Sequence, residues 1–369
     1  MGIILKIIDL RDKYLPSMGG TELYIDQIGR YMVRNGHNVN VLTTTMGYYN
    51  APYNIVRLQF NPLIHRFVER QKSLLYYRWL LKESFDILHL HTFSPRFHIF
   101  NLISYPIFNI AKLKKAKVVF TLHGSKQLYW YMWDQIKTEI RKSNFVIFVD
   151  YHMLKYVKEL GIKNFSYIPT PINTSIFHPM LKNEKLLEFY NLYNKFVILS
   201  ISRLEQDRNV IELLEMARKL KGYSDIIFMI IGSGSLGNYY KSLTKKWGCK
   251  NIIFVGKIFN LYIPEYLSIA DVLVNPINVG GIGRAALEAM ACGKPVLRKV
   301  IEDDHPHLKD EINFIRYTKN NFITKLLLIK NDEELMLKIG ENARSFVVDH
   351  ASTDLVGKRI ESIYQRLLL

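Results

Sequence analysis

Short apolar runs alternate with helix-length segments along this 369-residue chain, and the alternation begins a second time near residue 196. The first series is Ile3–Leu10, Asn38–Thr43, Phe85–His89, Val118–Leu122 and Phe145–Val149. The second is Phe196–Ser202, Ile226–Gly232, Ile252–Gly256 and Val272–Pro276. Runs this continuously apolar suit parallel strands covered on both faces, and the spacers have the length of crossover helices. The spacer from Thr21 to about Arg34 carries Ile25, Ile28 and Met32 at helical spacing, and Gly36 follows as a stop. The pattern predicts two tandem Rossmann-like, doubly wound α/β domains.

The length suits two domains. Pro169-Thr-Pro171 and Phe177-His-Pro179 put three prolines in a short span between the two series, as a linker would. The expected division is an N-terminal domain (1–175), a C-terminal domain (176–353) and a terminal helix (354–369), the last packing back towards the first domain. Two sheets facing each other would leave a central cleft. With 49% hydrophobic and 22% charged residues, the composition excludes a disordered chain, a collagen and a coiled coil. Cys249 and Cys292 are too few for a disulfide framework or a metal cage, and are expected as reduced, buried thiols. No apolar run reaches eighteen residues. Lys6 and Asp9 interrupt the first run, which reads as a strand rather than a signal peptide. A cytoplasmic protein is expected.

The stretch from Asn275 to Val296 is the most informative: a strand end, a loop with Gly280, Gly281 and Gly283, then a helix starting near Ile282–Arg284 and ending before Gly293. Glycines allow close backbone approach, and a helix start offers free N–H groups and a positive dipole end. Phosphate is the natural guest.

Gly281-x-Gly283-x4-Glu288-Ala-Met-Ala-x-Gly293-x-Pro295-Val296 resembles the donor motif of the retaining glycosyltransferases of GT-B fold, family 4 (glycosyl transferases group 1). Other landmarks follow in order. They are Gly19-Gly20-Thr-Glu22, His89-Leu-His91, Thr121-Leu-His123-Gly124, the linker prolines, Ser202-Arg203-Leu204 with Arg208, Gly232-Ser-Gly234 and Phe254-Val-Gly256-Lys257. The resemblance spans about 19 to 296 and implies transfer of a hexose-type sugar from a nucleotide sugar, with no metal and no cofactor.

It implies roles residue by residue. Arg203 and Arg208 neutralise the departing diphosphate, with Arg208 where the family usually has Lys. His123 faces the donor sugar. Glu288 holds the ribose hydroxyls. Gly19, Gly20, Gly281, Ile282 and Gly283 face the donor, and Gly256 and Lys257 pass along the base. A second Glu is usual eight residues before Glu288, where this chain has Gly280, so Asn278 or backbone would take its part. The linker has Thr170-Pro171 where the family usually reads Asn-Gly. His89 and His91 are expected to be structural. Glu302-Asp303-Asp304 reads as a solvated loop rather than a metal site.

Net charge is +17, of which residues 1–170 carry 23 basic against 11 acidic side chains. Such a field favours an anionic partner. Leu63–Lys82 interleaves Arg66, Arg70, Arg78 and Lys82 with aromatics and leucines. Lys112–Lys117 adds four lysines, and Leu128–Trp133 four aromatics. These suit a membrane interface, and so a peripheral enzyme on the inner face acting on a glycan or lipid-linked acceptor. A sugar-nucleotide epimerase of the same fold is one alternative reading. A basic nucleic-acid binder is the other, but no nucleic-acid motif is present and no nucleic acid is expected.

Overall fold

A computed structural model describes residues 3–59, 68–91, 100–124, 133–277, 281–299 and 305–369. The chain forms two compact units, Met1–Pro171 with Thr353–Leu369, and Ile172–Ser352. The chain thus changes unit twice, and the two crossing segments are tied by the Ile172 N–H donating to the Ala351 carbonyl at 2.8 Å.

The first unit begins β1 (Lys6–Leu10), α1 (Gly20–Arg34), β2 (Asn38–Thr43), β3 (Asn54–Arg57) and α2 (Val68–Lys82). It continues β4 (Ile87–His91), α3 (Phe100–Leu113), β5 (Lys117–Leu122), α4 (Trp133–Lys142), β6 (Phe145–Phe148), α5 (Leu154–Glu159) and β7 (Phe165–Tyr167). The second unit runs α6 (Glu184–Phe189), β8 (Phe196–Ile201), α7 (Val210–Lys219), β9 (Ile226–Ile231), α8 (Gly237–Lys246) and β10 (Ile252–Gly256). Then come α9 (Ile263–Ile269), β11 (Val272–Asn275), α10 (Arg284–Ala291), β12 (Val296–Lys299), β13 (Ile315–Tyr317), α11 (Phe322–Asn331) and α12 (Glu333–Ala351). The last helix, α13 (Thr353–Leu368), belongs to the first unit.

Both sheets are parallel throughout. Their orders are β3-β2-β1-β4-β5-β6-β7 and β10-β9-β8-β11-β12-β13. In each, the direction of winding reverses once, between β1 and β4 and between β8 and β11. That reversal leaves a crevice at the carboxyl ends of the two strands, where ligands of such sheets sit.

The cores follow from the apolar runs. One face of the first sheet packs Ile8, Leu10, Leu88, Leu90, Val118 and Phe120 against α2, α3 and α4. The other face packs Ile7, Val39, Val41 and Ile87 against α1 and α13. Ile25, Ile28 and Met32 of α1 meet Val356, Ile360 and Tyr364 there, and Gly357 lets the helices close, since a Cβ on it would stand 2.3 Å from the Tyr31 ring. Four strands escaped the sequence reading. β3, β7 and β13 are three or four residues long, and β12 was merged with the end of the glycine motif. Cys292 is buried as expected, whereas Cys249 is only half-buried. Among the described residues, no helix is long and apolar enough to cross a membrane.

Candidate active site

The second unit gathers most of the candidate residues at the β8/β11 reversal. Arg203 follows β8 and is largely exposed; its Nη2 lies 3.2 Å from Asp207 Oδ2. Arg208 is more sheltered, and its Nε lies 3.2 Å from the same oxygen. Arg208 closes a single 3-10 turn, Gln206–Arg208, and Asn209 in the left-handed region (φ 52°) caps the start of α7. The Asn209 amide donates to the Pro276 carbonyl at 3.1 Å, so the loop after β8 is tied to the loop after β11.

The loop after β8 is also held from below. Ser202 donates its N–H to the Ile231 carbonyl at 3.0 Å, and Leu204 to Ser233 at 3.0 Å. Gly232 sits at φ +141°, and a Cβ on it would stand 1.8 Å from the Ser202 oxygen. A Cβ on Gly234 would stand 2.4 Å from the Leu204 oxygen. The Gly-Ser-Gly motif is therefore a floor on which the arginine loop rests. Gly256 ends β10 at φ +92°, and its carbonyl accepts from the Gly232 N–H at 2.7 Å. Lys257 is exposed.

After β11, Asn275 shapes the turn. Its side chain accepts from the Ile277 N–H at 3.2 Å and donates to the Ile282 carbonyl at 3.4 Å. Gly283 caps α10 at φ +74°, which only glycine takes without strain. Glu288 lies one turn into α10, buried. Its Oε1 accepts from Asn260 Nδ2 at 3.0 Å and faces Arg284 Nη1 at 3.6 Å. Burial pushes the carboxyl's pKa up, against the pull of Arg284 and Asn260. Asn278, Gly280 and Glu302–Asp304 lie outside the described residues.

In the first unit, Gly19 caps α1 and Gly20 opens it, exposed. Arg11, just past β1, is buried. Its Nη2 lies 3.4 Å from Glu22 Oε1, while its Nε and Nη1 have no hydrogen-bond partner among the described residues. A buried guanidinium with unused donors beside a helix start is a place for an anion. His123 follows β5 and is partly buried. Its Nε2 lies 2.9 Å from His91 Nδ1, and His91 Nε2 lies 3.0 Å from Asp9 Oδ1. His91 is the last residue of β4 and fully enclosed. His89 spans the Tyr364 hydroxyl (2.5 Å) and Thr121 Oγ1 (2.6 Å).

Asp9, His89 and His91 bring potential metal-ligand atoms within 4.8 Å of one another. All of those side chains are engaged in this hydrogen-bond network, inside the core. Sequence reasoning missed Asp9, Asp207, Asn209, Asn260 and Asn275, since each acts by holding a neighbour and none stands in a recognisable motif. Asp9 alone left a signal, a charge in the middle of an apolar strand. Leu128–Met132 and Leu63–Phe67 also fall outside the described residues.

Two parallel, doubly wound units with these strand orders are those of the GT-B fold. The family description "glycosyl transferases group 1" matches residues 183–346, and "glycosyltransferase family 4" matches residues 18–176. Together these matches span most of the chain, which belongs to this family of glycosyltransferases. The N-acetyl-alpha-D-glucosaminyl L-malate synthase of Bacillus anthracis is 22% identical, over 96% of this chain and 95% of that protein. The alpha-monoglucosyldiacylglycerol synthase of Acholeplasma laidlawii is 24% identical, over 97% and 96%. Among solved structures, a sucrose-phosphate synthase from Thermosynechococcus elongatus superposes with a TM-score of 0.81 at 18% identity, covering 98% of this chain and 99% of that one. Anabaena HepE in complex with UDP gives 0.78 at 15% identity, covering 98% and 100%.

Proposed function

We propose that this glycosyltransferase is a retaining, metal-independent enzyme that takes its sugar from a nucleoside-diphosphate sugar and delivers it to a hydroxyl of a lipid-linked acceptor at an anionic membrane face. The observation that carries the donor reading is the convergence at β8/β11 of two guanidinium groups, a glycine-capped helix start and a buried carboxylate. Arg203, Arg208 and the N–H groups opening α10 supply positive charge for a diphosphate. Glu288 supplies the acceptor for paired ribose hydroxyls, in place of the Asn260 amide it now holds. A structural neighbour was solved with UDP, which agrees with such a guest.

In this reading the acceptor oxygen bonds to the anomeric carbon as the bond from that carbon to the diphosphate oxygen breaks. The acceptor's proton passes to an oxygen of the leaving diphosphate on the same face, so configuration is kept and no protein base is needed. Arg203 and Arg208 act on the charge that grows on the leaving group.

The membrane reading rests on α2 and α3. Leu74, Arg78, Leu81 and Lys82 share an exposed stripe of α2, with Leu74 65% exposed. Lys114 Nζ donates to the Leu81 carbonyl at 2.6 Å, which joins that stripe to Lys112, Leu113 and Lys115. Leucines set among cations suit a lipid headgroup layer. A relative bears the name alpha-monoglucosyldiacylglycerol synthase, in keeping with a lipid acceptor.

The test is product analysis by NMR on vesicles containing an anionic glycolipid or polyprenyl phosphate, with a panel of α-linked nucleotide sugars. An α-linked product, with the enzyme floating on anionic but not neutral vesicles, is expected. A β-linked product would overturn retention, and absence of flotation would overturn the membrane assignment.

A further inference from the structure

Helix α13 sorts its charges by face. Its two acids turn towards α1 and the loop after it. Asp354 pairs with Arg34, and Glu361 accepts from the Tyr31 hydroxyl at 3.0 Å and lies 3.1 Å from His37 Nε2. Its three bases, Lys358, Arg359 and Arg366, line a groove of about 600 Å³ between α13 and the strands β6 and β7, open along one side. Every residue lining that groove belongs to the first unit. Phe145, Phe165, Leu355 and Ile363 form its apolar wall, and Phe165 and Leu355 are only half-buried, so part of that wall stays uncovered. Lys358 and Arg366 are exposed, and Arg366 stands over the Phe145 ring, 5.5 Å from its centroid. Among the described residues, no carboxylate pairs with any of the three bases.

We propose that this groove docks an acidic amphipathic helix of a partner protein, its apolar side against Phe165 and Leu355 and its carboxylates against Lys358, Arg359 and Arg366. Spacing and charge choose the occupant. Lys358 and Arg366 are eight residues apart, about 12 Å along the helix axis, too far for one phosphate or carboxylate headgroup but matched by acids two turns apart on a facing helix. A groove open along its side encloses a small molecule poorly. An added strand is disfavoured, because Arg359 Nη2 already donates to the Tyr167 carbonyl at 2.7 Å and β7 has only three residues. A second copy of the chain would bring +17 against +17. The leucine and cation stripe of α2 and α3 lies on the other face of the same sheet, so a lipid layer meeting that stripe leaves this groove to a soluble partner.

The probe is a fluorescein-labelled helical peptide of about 18 residues, made of alanine, leucine and glutamate, with leucines along one side and glutamates flanking them. Its binding to the full chain is read by fluorescence anisotropy in about 0.1 M salt. Two control peptides carry lysine for every glutamate, or serine for every leucine. The glutamate peptide should bind wild-type protein and the lysine peptide should not. The serine peptide, and the glutamate peptide on the Lys358→Glu/Arg366→Glu protein, should each bind at least about tenfold more weakly. The lysine peptide should gain affinity for that double variant. Both substituted side chains are exposed, so its melting temperature should stay within about 2 °C of wild type. Hydrogen exchange in the wild-type complex should slow in α13 and β7. Failure of the glutamate peptide to bind, equal affinity for the double variant, or slowed exchange in α2 and α3 instead would overturn the proposal. Phosphatidylglycerol vesicles give the remaining arm: protection of α13 by vesicles but not by the peptide would make the groove a lipid surface and overturn it as well.

Discussion

Arg203→Ala and Arg208→Ala are each expected to lower turnover by at least about tenfold, and Arg208→Ala by about 100-fold, with little change in melting temperature. The geometry sets the order. Both guanidinium groups share the Asp207 carboxylate at 3.2 Å, but the Arg203 side chain is 62% exposed and that of Arg208 27%. A charge partly withdrawn from water acts more strongly on a diphosphate than one screened by solvent. Neither residue packs in the core, so stability should change by less than about 1 kcal/mol. Arg208→Lys should retain most of the activity, since a point charge suffices for the leaving phosphate although the forked geometry is lost. Steady-state kinetics with the native donor, beside melting curves, checks all three variants. Wild-type rates in both alanine variants would place the leaving group elsewhere.

Gly232→Ala is expected to be the most damaging single methyl in the second unit. The backbone there stands at φ +141°, and the added Cβ would meet the Ser202 carbonyl at 1.8 Å, so strand ends β8 and β9 must separate. Strain of this kind combined with a backbone clash costs about 3 kcal/mol or more. The loop carrying Arg203 rests on that contact, so nucleotide affinity should fall together with the denaturant midpoint. Gly248→Ala supplies the comparison. Its φ is +67° and nothing lies within 4 Å of its Cβ position, so only the left-handed strain remains, about 1 kcal/mol, and affinity should not change. Equal destabilisation of the two variants would show that the floor beneath the arginine loop carries no load.

The doubly wound architecture was legible because parallel strands buried on both faces leave continuous apolar runs that no other element imitates at that length. β3, β7 and β13 were not, because three or four residues carry too little pattern. Gly283, Glu288, Arg203 and Arg208 were legible through a motif with fixed spacing. Their supports were not. Asp207 holds two arginines, Asn260 holds Glu288, and Asn275 shapes the glycine turn, yet each is an ordinary polar residue whose partner is chosen by tertiary contact. His89 and His91 read as packing residues because alternate positions in a strand share a face. The pair does share that face, and what the spacing could not reveal is the buried carboxylate on the neighbouring strand, paired in register as Asp9 opposite His89.

The most direct measurement is calorimetric titration of the wild-type protein and of Glu288→Ala with UDP, GDP and ADP in buffer containing EDTA. One of the three should bind the wild-type chain without a divalent cation, and Glu288→Ala should weaken that nucleotide by about tenfold, the worth of a lost pair of charged hydrogen bonds to ribose. Undiminished affinity in Glu288→Ala, or binding that appears only when magnesium or manganese is restored, would contradict the account.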